Sequence, residues 1–393
     1  MKHGFAFQGK YFANEGKYIL LTPGNFLASG GLKLKGEKEK FYNGDFPKEY
    51  ILKENDLILV LTDLTQSAEI LGAPAIINKN NLFLHNQRLG LVNNLKSEII
   101  NKSFLYFLMN SNSVRGQIKG SATGSTVKHT APERIYNVKV QIPDIRTQKK
   151  IASILLGYNR LIENNERQIK ILEEISQRIY KEWFINKDFE EICILEIPYF
   201  TFLKQNIKKF EGSKRYYATA DVEGTNFVKE GIDYDYKNKP SRAQKQPLIN
   251  SVWFARMKDS YKIAAFTKVN VFQAENSILS SGFAGFSSKD IHFGFLYLTI
   301  SSKYFDNLKN LYGTGATQVS LNNDGLSKIY VPYPNEEKVL EFCNIVNPII
   351  DKSILLKNIN KNLIETRDYL LPKIISGKVD VSDLDIDTSI LDE

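Results

Sequence analysis

Thr123-Gly124-Ser125-Thr126-Val127 returns in the second half of the chain as Thr314-Gly315-Ala316-Thr317-Gln318-Val319, and at the same offset of 191 residues Pro143 falls on Pro334. A fixed interval of this kind marks an internal repeat. Between these anchors Ile135 to Pro143 reads Ile-Tyr-Asn-Val-Lys-Val-Gln-Ile-Pro and Leu326 to Pro334 reads Leu-Ser-Lys-Ile-Tyr-Val-Pro-Tyr-Pro. Both predict a short alternating strand entering a proline turn. A long helical pattern follows each proline. The repeating unit is therefore a mixed domain, a Thr-Gly loop, a short strand and a long helix, and the fold class is α/β in the broad sense (mixed α+β), with an internal pseudo-repeat.

The first long helix is legible position by position. From Ile151 the residues Leu155, Tyr158, Ile162, Asn165, Ile169, Leu172, Ser176, Ile179 and Trp183 alternate in spacing between four and three, the period of a coiled-coil seam. Such a stripe needs a partner helix. Ile349, Leu356, Ile359, Leu363 and Leu370 provide a poorer one, interrupted by Lys352 and Thr366, with Pro348 at a first-turn position or a break. Two such helices in one chain can pair with each other. Asn165 reads either as a register-fixing polar residue or as one that reaches solvent near a bend at Gly157. From Tyr158 to Ile185 the helix would be about 42 Å long, a little more than one DNA turn of about 34 Å.

The mixed domains are less alike. In the first, Asp56 to Leu61 and Ala75 to Ile77 are strand candidates and Ser103 to Met109 a short amphipathic helix. In the second, Ser251 to Ala255 and Tyr261 to Phe266 look like paired strands, and Gly294 to Ser301 reads as strand or helix.

Composition narrows the class of protein. With 393 residues the chain exceeds one small domain, and 42% hydrophobic residues supply real cores. The net charge is +8, but Asp380, Asp383, Asp385, Asp387, Asp392 and Glu393 form an acidic tail without a Lys or Arg, leaving 52 basic residues against 38 acids over residues 1–379. A basic body of this kind attracts polyanions. Cys193 and Cys343, far apart, give no disulfide framework and no ligand pair, so a reducing, cytoplasmic setting is expected. No apolar stretch is long enough for a signal peptide or a membrane span, and no membrane role is expected.

Catalytic patterns are missing. Gly31-Leu-Lys-Leu-Lys-Gly36 is followed by Glu37 where a phosphate loop needs Lys-Ser or Lys-Thr. His3, His85, His129 and His292 are scattered without metal-ligand spacing. Asn347-Pro348-Ile349 is not an adenine-methylating motif, and Glu173-Glu174 and Glu190-Glu191 read as solvated acids beside a charged helix face. The expectation is a chain with no catalytic residues, no metal and no cofactor of its own.

Binding features are richer. Arg115 to His129 mixes Arg115, Lys119 and Lys128 with Thr123, Ser125 and glycines, which suits either phosphate contact or a structural turn. From Lys204 to Lys245 ten Lys and Arg stand against six acids among aromatic residues, a composition suited to a nucleic-acid surface. Arg215 belongs to this stretch. Lys237, Lys239, Arg242, Gln244 and Lys245, like Asn86, Gln87 and Arg88 in the first half, carry donors that read guanine and adenine edges; a solvated loop and backbone capping are the alternatives.

At this point the residues resemble a known family. Thr123-Gly124-Ser125-Thr126, Ile142-Pro143, Gln148-Lys-Lys-Ile151-Ala152-Ser-Ile154-Leu155, Leu161-Ile162-Glu163-Asn164-Asn165 and Ile179 to Phe184 look like the central conserved region of type I restriction-modification specificity subunits. Leu371-Pro372-Lys373-Ile374-Ile375-Ser376-Gly377-Lys378-Val379 is similar to that family's C-terminal signature. The resemblance implies target-recognition domains at 1–143 and 188–334, helical spacers at 144–187 and 335–379 and a tail at 380–393, with the two helices packed antiparallel as a coiled coil. It implies a non-catalytic subunit that reads a bipartite asymmetric site on double-stranded DNA and docks two modification subunits, which bind S-adenosylmethionine, and restriction subunits, which use ATP and Mg. A scaffold that binds polyanions without sequence choice is the alternative. Two departures stand out. The family usually has a lead-in of a couple of dozen residues before a sequence like Gly4-Phe5-Ala6-Phe7, so a shortened first domain is one expectation. Pro334-Asn335-Glu336-Glu337-Lys338 lacks the glutamine usual near the start of the second helix.

Overall fold

A computed structural model of the chain describes residues 1–315 and 318–391. Ala316 and Thr317 of the second Thr-Gly repeat and the last two acids of the tail, Asp392 and Glu393, lie outside the described residues. The helices are α1 (Lys102–Asn110), α2 (Asn112–Gly120), α3 (Pro132–Tyr136), α4 (Ile145–Tyr180), α5 (Val271–Glu275), α6 (Phe293–Ser301), α7 (Lys303–Leu311), α8 (Asn323–Leu326) and α9 (Glu336–Ile375). Among the described residues no helix is long and apolar enough to cross a membrane.

The chain forms two compact units, Met1–Leu161 with Leu363–Glu393, and Ile162–Asn362. Compactness thus divides it within the long helices, whereas the boundaries read from the sequence follow the repeat. In the first unit, one antiparallel sheet orders Lys2–His3, Leu89–Leu91, Leu57–Val60 and Pro74–Ile76. Another orders Phe12–Ala13, Phe41–Tyr42, Ile19–Leu20 and Phe83–Leu84, the last pair parallel. The second unit repeats the plan. Phe200–Phe202, Phe283–Ser288, Ser251–Ala255 and Ile263–Phe266 form the antiparallel sheet, and Lys214–Tyr217 lies parallel to Ser277–Ser280 between Ile232–Tyr234 and Ala243–Lys245.

The repeat is sharpest in the helices. The starts of α1 and α6, α2 and α7, α3 and α8, and α4 and α9 all differ by 191 residues. Their caps recur as well, with Ser111 Oγ accepting from Val114 N–H at 3.4 Å and Ser302 Oγ from Phe305 N–H at 3.0 Å. The stretch left open between strand and helix is α6. Every residue of α6 is buried, so it has no polar face to reveal the helical period.

Two sequence expectations need correction. Residues 115–120 are the C-terminal half of α2, not part of a loop. The expected proline-entry strand exists in one copy only: Tyr330–Pro332 pairs antiparallel with Glu191–Cys193, but no strand among the described residues lies between α3 and α4. A strand needs a neighbouring row of backbone donors and acceptors, and the first copy has none there.

Gln148 explains the start of α4. Fully buried, it accepts from Asn101 N–H at 2.9 Å and donates to the carbonyls of Ile99 and Pro143 at 2.9 and 2.8 Å. Its counterpart is the buried Val339. The second unit ties α6 to α9 differently, with Gly294 N–H donating to Asn347 Oδ1 at 2.8 Å and His292 Nε2 meeting Glu336 at 3.0 Å.

Along α4 the expected seam residues Ile151, Leu155, Ile162 and Ile169 are buried and Leu172 is half-buried, but past Ser176 the buried positions are Tyr180 and Phe184 rather than Ile179 and Trp183. Successive steps of four accompany a π-helical turn at Lys181–Ile185, which re-aims the end of the helix. On α9 the expected stripe is displaced by one at three of its five positions. Ile350, Asn360 and Leu371 are buried, whereas Ile349, Leu363 and Leu370 are only half-buried and Ile359 is 37% exposed; Leu356 keeps its burial. The true stripe was disguised by polar members that have partners. Lys357 Nζ meets Glu173 at 2.6 Å and Thr225 Oγ1 at 2.8 Å, and Arg367 donates to Asn159 Oδ1 at 2.8 Å. Asn165 Nδ2 donates to Asn360 Oδ1 at 2.8 Å, and Asn360 Nδ2 to the Ile162 carbonyl at 3.2 Å. Asn165 is thus buried and partnered. Neither Gly157 nor Pro348 interrupts its helix.

Candidate nucleic-acid interface

The strand Leu57–Val60 runs out into Leu61-Thr62-Asp63, and this end is held on both sides. Leu61 N–H donates to the Arg88 carbonyl at 2.8 Å, and the Leu61 carbonyl accepts from Thr130 N–H at 2.9 Å. On one flank is the turn His85-Asn86-Gln87-Arg88. On the other is the Thr-Gly loop, which closes on itself: Thr123 and His129 exchange both backbone hydrogen bonds at 3.0 and 2.9 Å. Gly124 sits at φ +96°, with the Val127 carbonyl oxygen 1.9 Å from where a Cβ would lie. Only glycine can occupy that position. The Asp63 carboxylate accepts from Thr65 N–H and Ile70 N–H at 2.9 and 2.8 Å and so braces the adjoining loop.

The second unit builds the same constellation from different residues. Ser251–Ala255 ends at Arg256, whose N–H donates to the Gly282 carbonyl at 2.9 Å and whose carbonyl accepts from Leu321 N–H at 2.8 Å. Leu321 is the counterpart of Thr130 at the offset of 191. Thr314 and Ser320 exchange both backbone bonds at 3.0 Å, and Gly315, at φ +133°, has the Gln318 carbonyl oxygen 2.4 Å from its would-be Cβ. Arg242 joins through its carbonyl, which accepts from Ser281 N–H at 2.8 Å. Each unit therefore gathers a turn, a strand end and a closed Thr-Gly loop, and decorates them differently.

Gln87, Arg88, Lys119, Thr123 and Ser125 are exposed on this side of the first unit, and Lys128 is half-buried beside them. Asn86 and Arg115 belong to the frame. Asn86 is buried and its Oδ1 accepts from Arg88 N–H at 3.0 Å, which fixes the turn instead of offering an amide to a base. Arg115 is buried in α2, donates to the Ala28 carbonyl at 3.2 Å and Asn110 Oδ1 at 3.3 Å, and also bonds the Glu69 carbonyl. Burial lowers its pKa.

In the second unit Lys237 and Arg242 are exposed. The remaining expected residues are engaged within the unit. Arg215 makes two 2.9 Å bonds to Asp233, which raises the pKa of the arginine and lowers that of the carboxyl. Lys239 Nζ donates to the Ala243 carbonyl at 2.8 Å, Gln244 Nε2 to the Ser241 carbonyl at 2.9 Å, and Lys245 Nζ to Lys204 O at 3.1 Å and Asn206 Oδ1 at 3.0 Å. They shape the loop that carries Arg242.

Sequence reasoning passed over Arg256 and Lys258. Arg256 is half-buried, with Nη1 donating to the Leu321 carbonyl at 3.1 Å; Lys258 is exposed, and its N–H donates to the Val319 carbonyl at 3.0 Å. The available signal was position, since both stand just beyond the wholly buried strand Ser251–Ala255. Cationic and amide side chains on such a face can hydrogen-bond phosphates and base edges. Among the described residues no group of three or more His, Cys, Asp or Glu could hold a metal. Burial pushes the Cys343 thiol up to about 12.

Comparisons with known proteins show what the chain is similar to. Residues 1–174 match the family model described as type I restriction modification DNA specificity domain. The MjaIX type I restriction enzyme specificity subunit of Methanocaldococcus jannaschii is 25% identical over 333 residues, which span 75% of this chain and 73% of that one. The HindI specificity subunit of Haemophilus influenzae is 22% identical over 368 residues, 72% of this chain and 78% of the other. The crystal structure of a type I restriction-modification S subunit from M. genitalium superposes with a TM-score of 0.57 at 17% identity, covering 95% of this chain and 92% of that one, and shares the fold.

Proposed function

We propose that the chain, whose residues 1–174 match the type I restriction modification DNA specificity domain, is a specificity subunit that reads a bipartite, asymmetric site on double-stranded DNA, one half with each unit. One observation carries the reading: a strand end held between a turn and a closed Thr-Gly loop occurs twice, with Arg88 and Lys128 on one copy and Arg242 and Lys258 on the other. Equal frames with unequal side chains suit a reader of two different half-sites. The Thr-Gly loops supply hydroxyl and backbone donors for phosphate, and the arginines beside them the forks that recognise guanine.

The long helices α4 and α9 act in this proposal as an antiparallel coiled-coil spacer whose length sets the distance between half-sites. The polar pairs Asn165 with Asn360 and Glu173 with Lys357 fix its register. Methylation and cleavage are done by other subunits, two modification subunits that bind S-adenosylmethionine and restriction subunits that use ATP and Mg, all docked on this chain in the cytoplasm. The test is to measure binding of the chain, reconstituted with its modification subunits, to duplex DNA at several salt concentrations, alongside methylome sequencing of a host carrying the whole system. Salt-dependent affinity with a methylated split motif supports the proposal. Binding that tracks salt but ignores sequence would support the polyanion scaffold instead.

A further inference from the structure

In the second unit the chain leaves the edge strand Phe200–Phe202 with Leu203 N–H donating to the Gly285 carbonyl at 2.8 Å, and then crosses to the other sheet as a loop. Three bonds hold that loop against Ala243–Lys245. Ile207 N–H donates to the Gln244 carbonyl at 2.6 Å, and Lys245 Nζ to the Lys204 carbonyl at 3.1 Å and Asn206 Oδ1 at 3.0 Å. The buried Ile207 packs there with Ala243 and Ile278. Between the loop and Lys214, Gln246, Leu248 and Trp253 is a cavity of about 550 Å³, within the range of small-molecule sites, about 300 to 1,000 Å³.

Its walls are of two kinds. Phe202, Leu203, Phe210, Leu248 and Trp253 are apolar. The ring of Phe202 is braced by Phe286, with centroids 5.1 Å apart, and that of Phe210 by Tyr236 at 5.5 Å, so both are set before any ligand arrives. Trp253 spends its only donor on Ser251 Oγ at 2.9 Å and offers the cavity nothing but ring. The remaining walls are cationic. Lys204, Lys208, Lys209 and Lys214 line the cavity, and among the described residues no carboxylate does. Lys204, Lys208 and Lys209 are exposed, and their ammonium groups have no ion pair or hydrogen bond among the described residues. Lys214 Nζ donates to Gln246 Oε1 at 2.9 Å and to the Glu275 carbonyl, which leaves the third of its N–H groups. Four like charges around one cavity repel one another, and an anion between them removes that repulsion.

We propose that this cavity binds a purine nucleoside phosphate, a ligand class that uses every wall. The base lies against Phe202, Phe210 and Leu248, and the phosphate meets Lys208, Lys209 and the remaining N–H of Lys214. Two amides at the cavity fit the edge of a purine. The Gln205 amide has no partner among the described residues, and Asn206, whose Oδ1 is taken by Lys245, keeps Nδ2 for a ring acceptor. An anion of the fatty-acid kind would leave both amides unused, and a bare phosphate would leave the aromatic walls unused.

The probe is AMP, titrated calorimetrically into the full chain, with adenosine and inorganic phosphate titrated in parallel. Saturation at one AMP per chain is expected, with adenosine and phosphate each at least about tenfold weaker. Lys208→Ala combined with Lys209→Ala removes two exposed side chains without partners, so the variant should melt like the parent while AMP binds at least about tenfold more weakly. Leu248→Asp, at a position 46% exposed, should weaken AMP and adenosine alike. No saturable binding of AMP would overturn the inference, and so would phosphate binding as tightly as AMP, which would mark a bare anion patch. Unchanged AMP binding by both variants would place the ligand elsewhere and overturn it too. Duplex DNA of arbitrary sequence that displaces AMP and binds more tightly would overturn it in favour of a stretch of DNA-contacting surface. Discrimination between DNA sequences enters none of these readouts, so the proposed recognition function stands or falls separately.

Discussion

Arg88 stands on the turn across the strand end from the first Thr-Gly loop and Arg242 on a loop bonded to the matching turn of the second unit, both exposed on backbones whose carbonyls are already engaged, at 2.8 Å in each case. A guanidinium so mounted can reach a base edge without its turn rearranging. Arg88→Ala or Arg242→Ala should relax discrimination at one half-site only, by about 1 to 3 kcal/mol if the contact is bidentate to guanine. Competition binding against single-base variants of the site decides this, and an equal loss on every sequence would mark a phosphate contact. Behind Arg88, His85 is almost fully buried, and Nε2 donates to the Leu89 carbonyl at 3.0 Å. Burial brings its pKa down to about 4, against an ordinary value of about 6.5 in the unfolded chain. The unfolded state therefore binds a proton that the folded state refuses. Stability should be intact above about pH 6.5 and fall towards pH 4, by roughly 3 kcal/mol from this residue. Urea midpoints measured across that window should fall less steeply in His85→Gln, which keeps a donor for the carbonyl. A parallel fall in both proteins would mean that His85 titrates freely.

At the scale of the element, the long helices show what the sequence could and could not reveal. Their existence, the seam from Ile151 to Ile169 and the shared Thr-Gly loop were legible because apolar periodicity and glycine requirements are local. Part of the stripe on α9 was read one residue out of place because Lys357, Asn360 and Arg367 look like surface residues until their partners are known. The engagement of Asn86 and Arg115 within the first unit was hidden for the same reason, since donors that brace a turn have the composition of donors that read a base. The antiparallel sheet shared by both units left almost no trace in sequence, because strand order depends on contacts far apart along the chain. The Asn165 and Asn360 pair makes a direct test. Asn165→Leu or Asn360→Leu alone leaves one buried amide without its partner and should cost about 1 to 3 kcal/mol. The double variant should recover most of that loss, or exceed the parent, while admitting more than one alignment of the helices. Denaturant unfolding reports the energies, and cysteine cross-linking across the seam reports the register; a double variant with a single register would mean that Glu173 and Lys357 suffice.

For the whole molecule, the consequence of the proposed spacer is metric. An α-helix rises about 1.5 Å per residue, so removing seven residues from α4 and seven from the facing turns of α9 shortens both by about 10 Å while keeping every remaining seam residue on its own face. At about 3.4 Å per base pair that is roughly three base pairs. A complex rebuilt with the doubly shortened chain should therefore methylate the same two half-sites at a separation about three base pairs smaller, because the turns and Thr-Gly loops that would read them are untouched. Removing the seven residues from α4 alone should be far more harmful, since Asn165 and Glu173 would no longer both lie opposite Asn360 and Lys357. Methylome sequencing distinguishes the outcomes directly. An unchanged separation in the doubly shortened chain would show that something other than helix length sets the interval, and a loss of half-site identity would show that the loops depend on the helices for more than position.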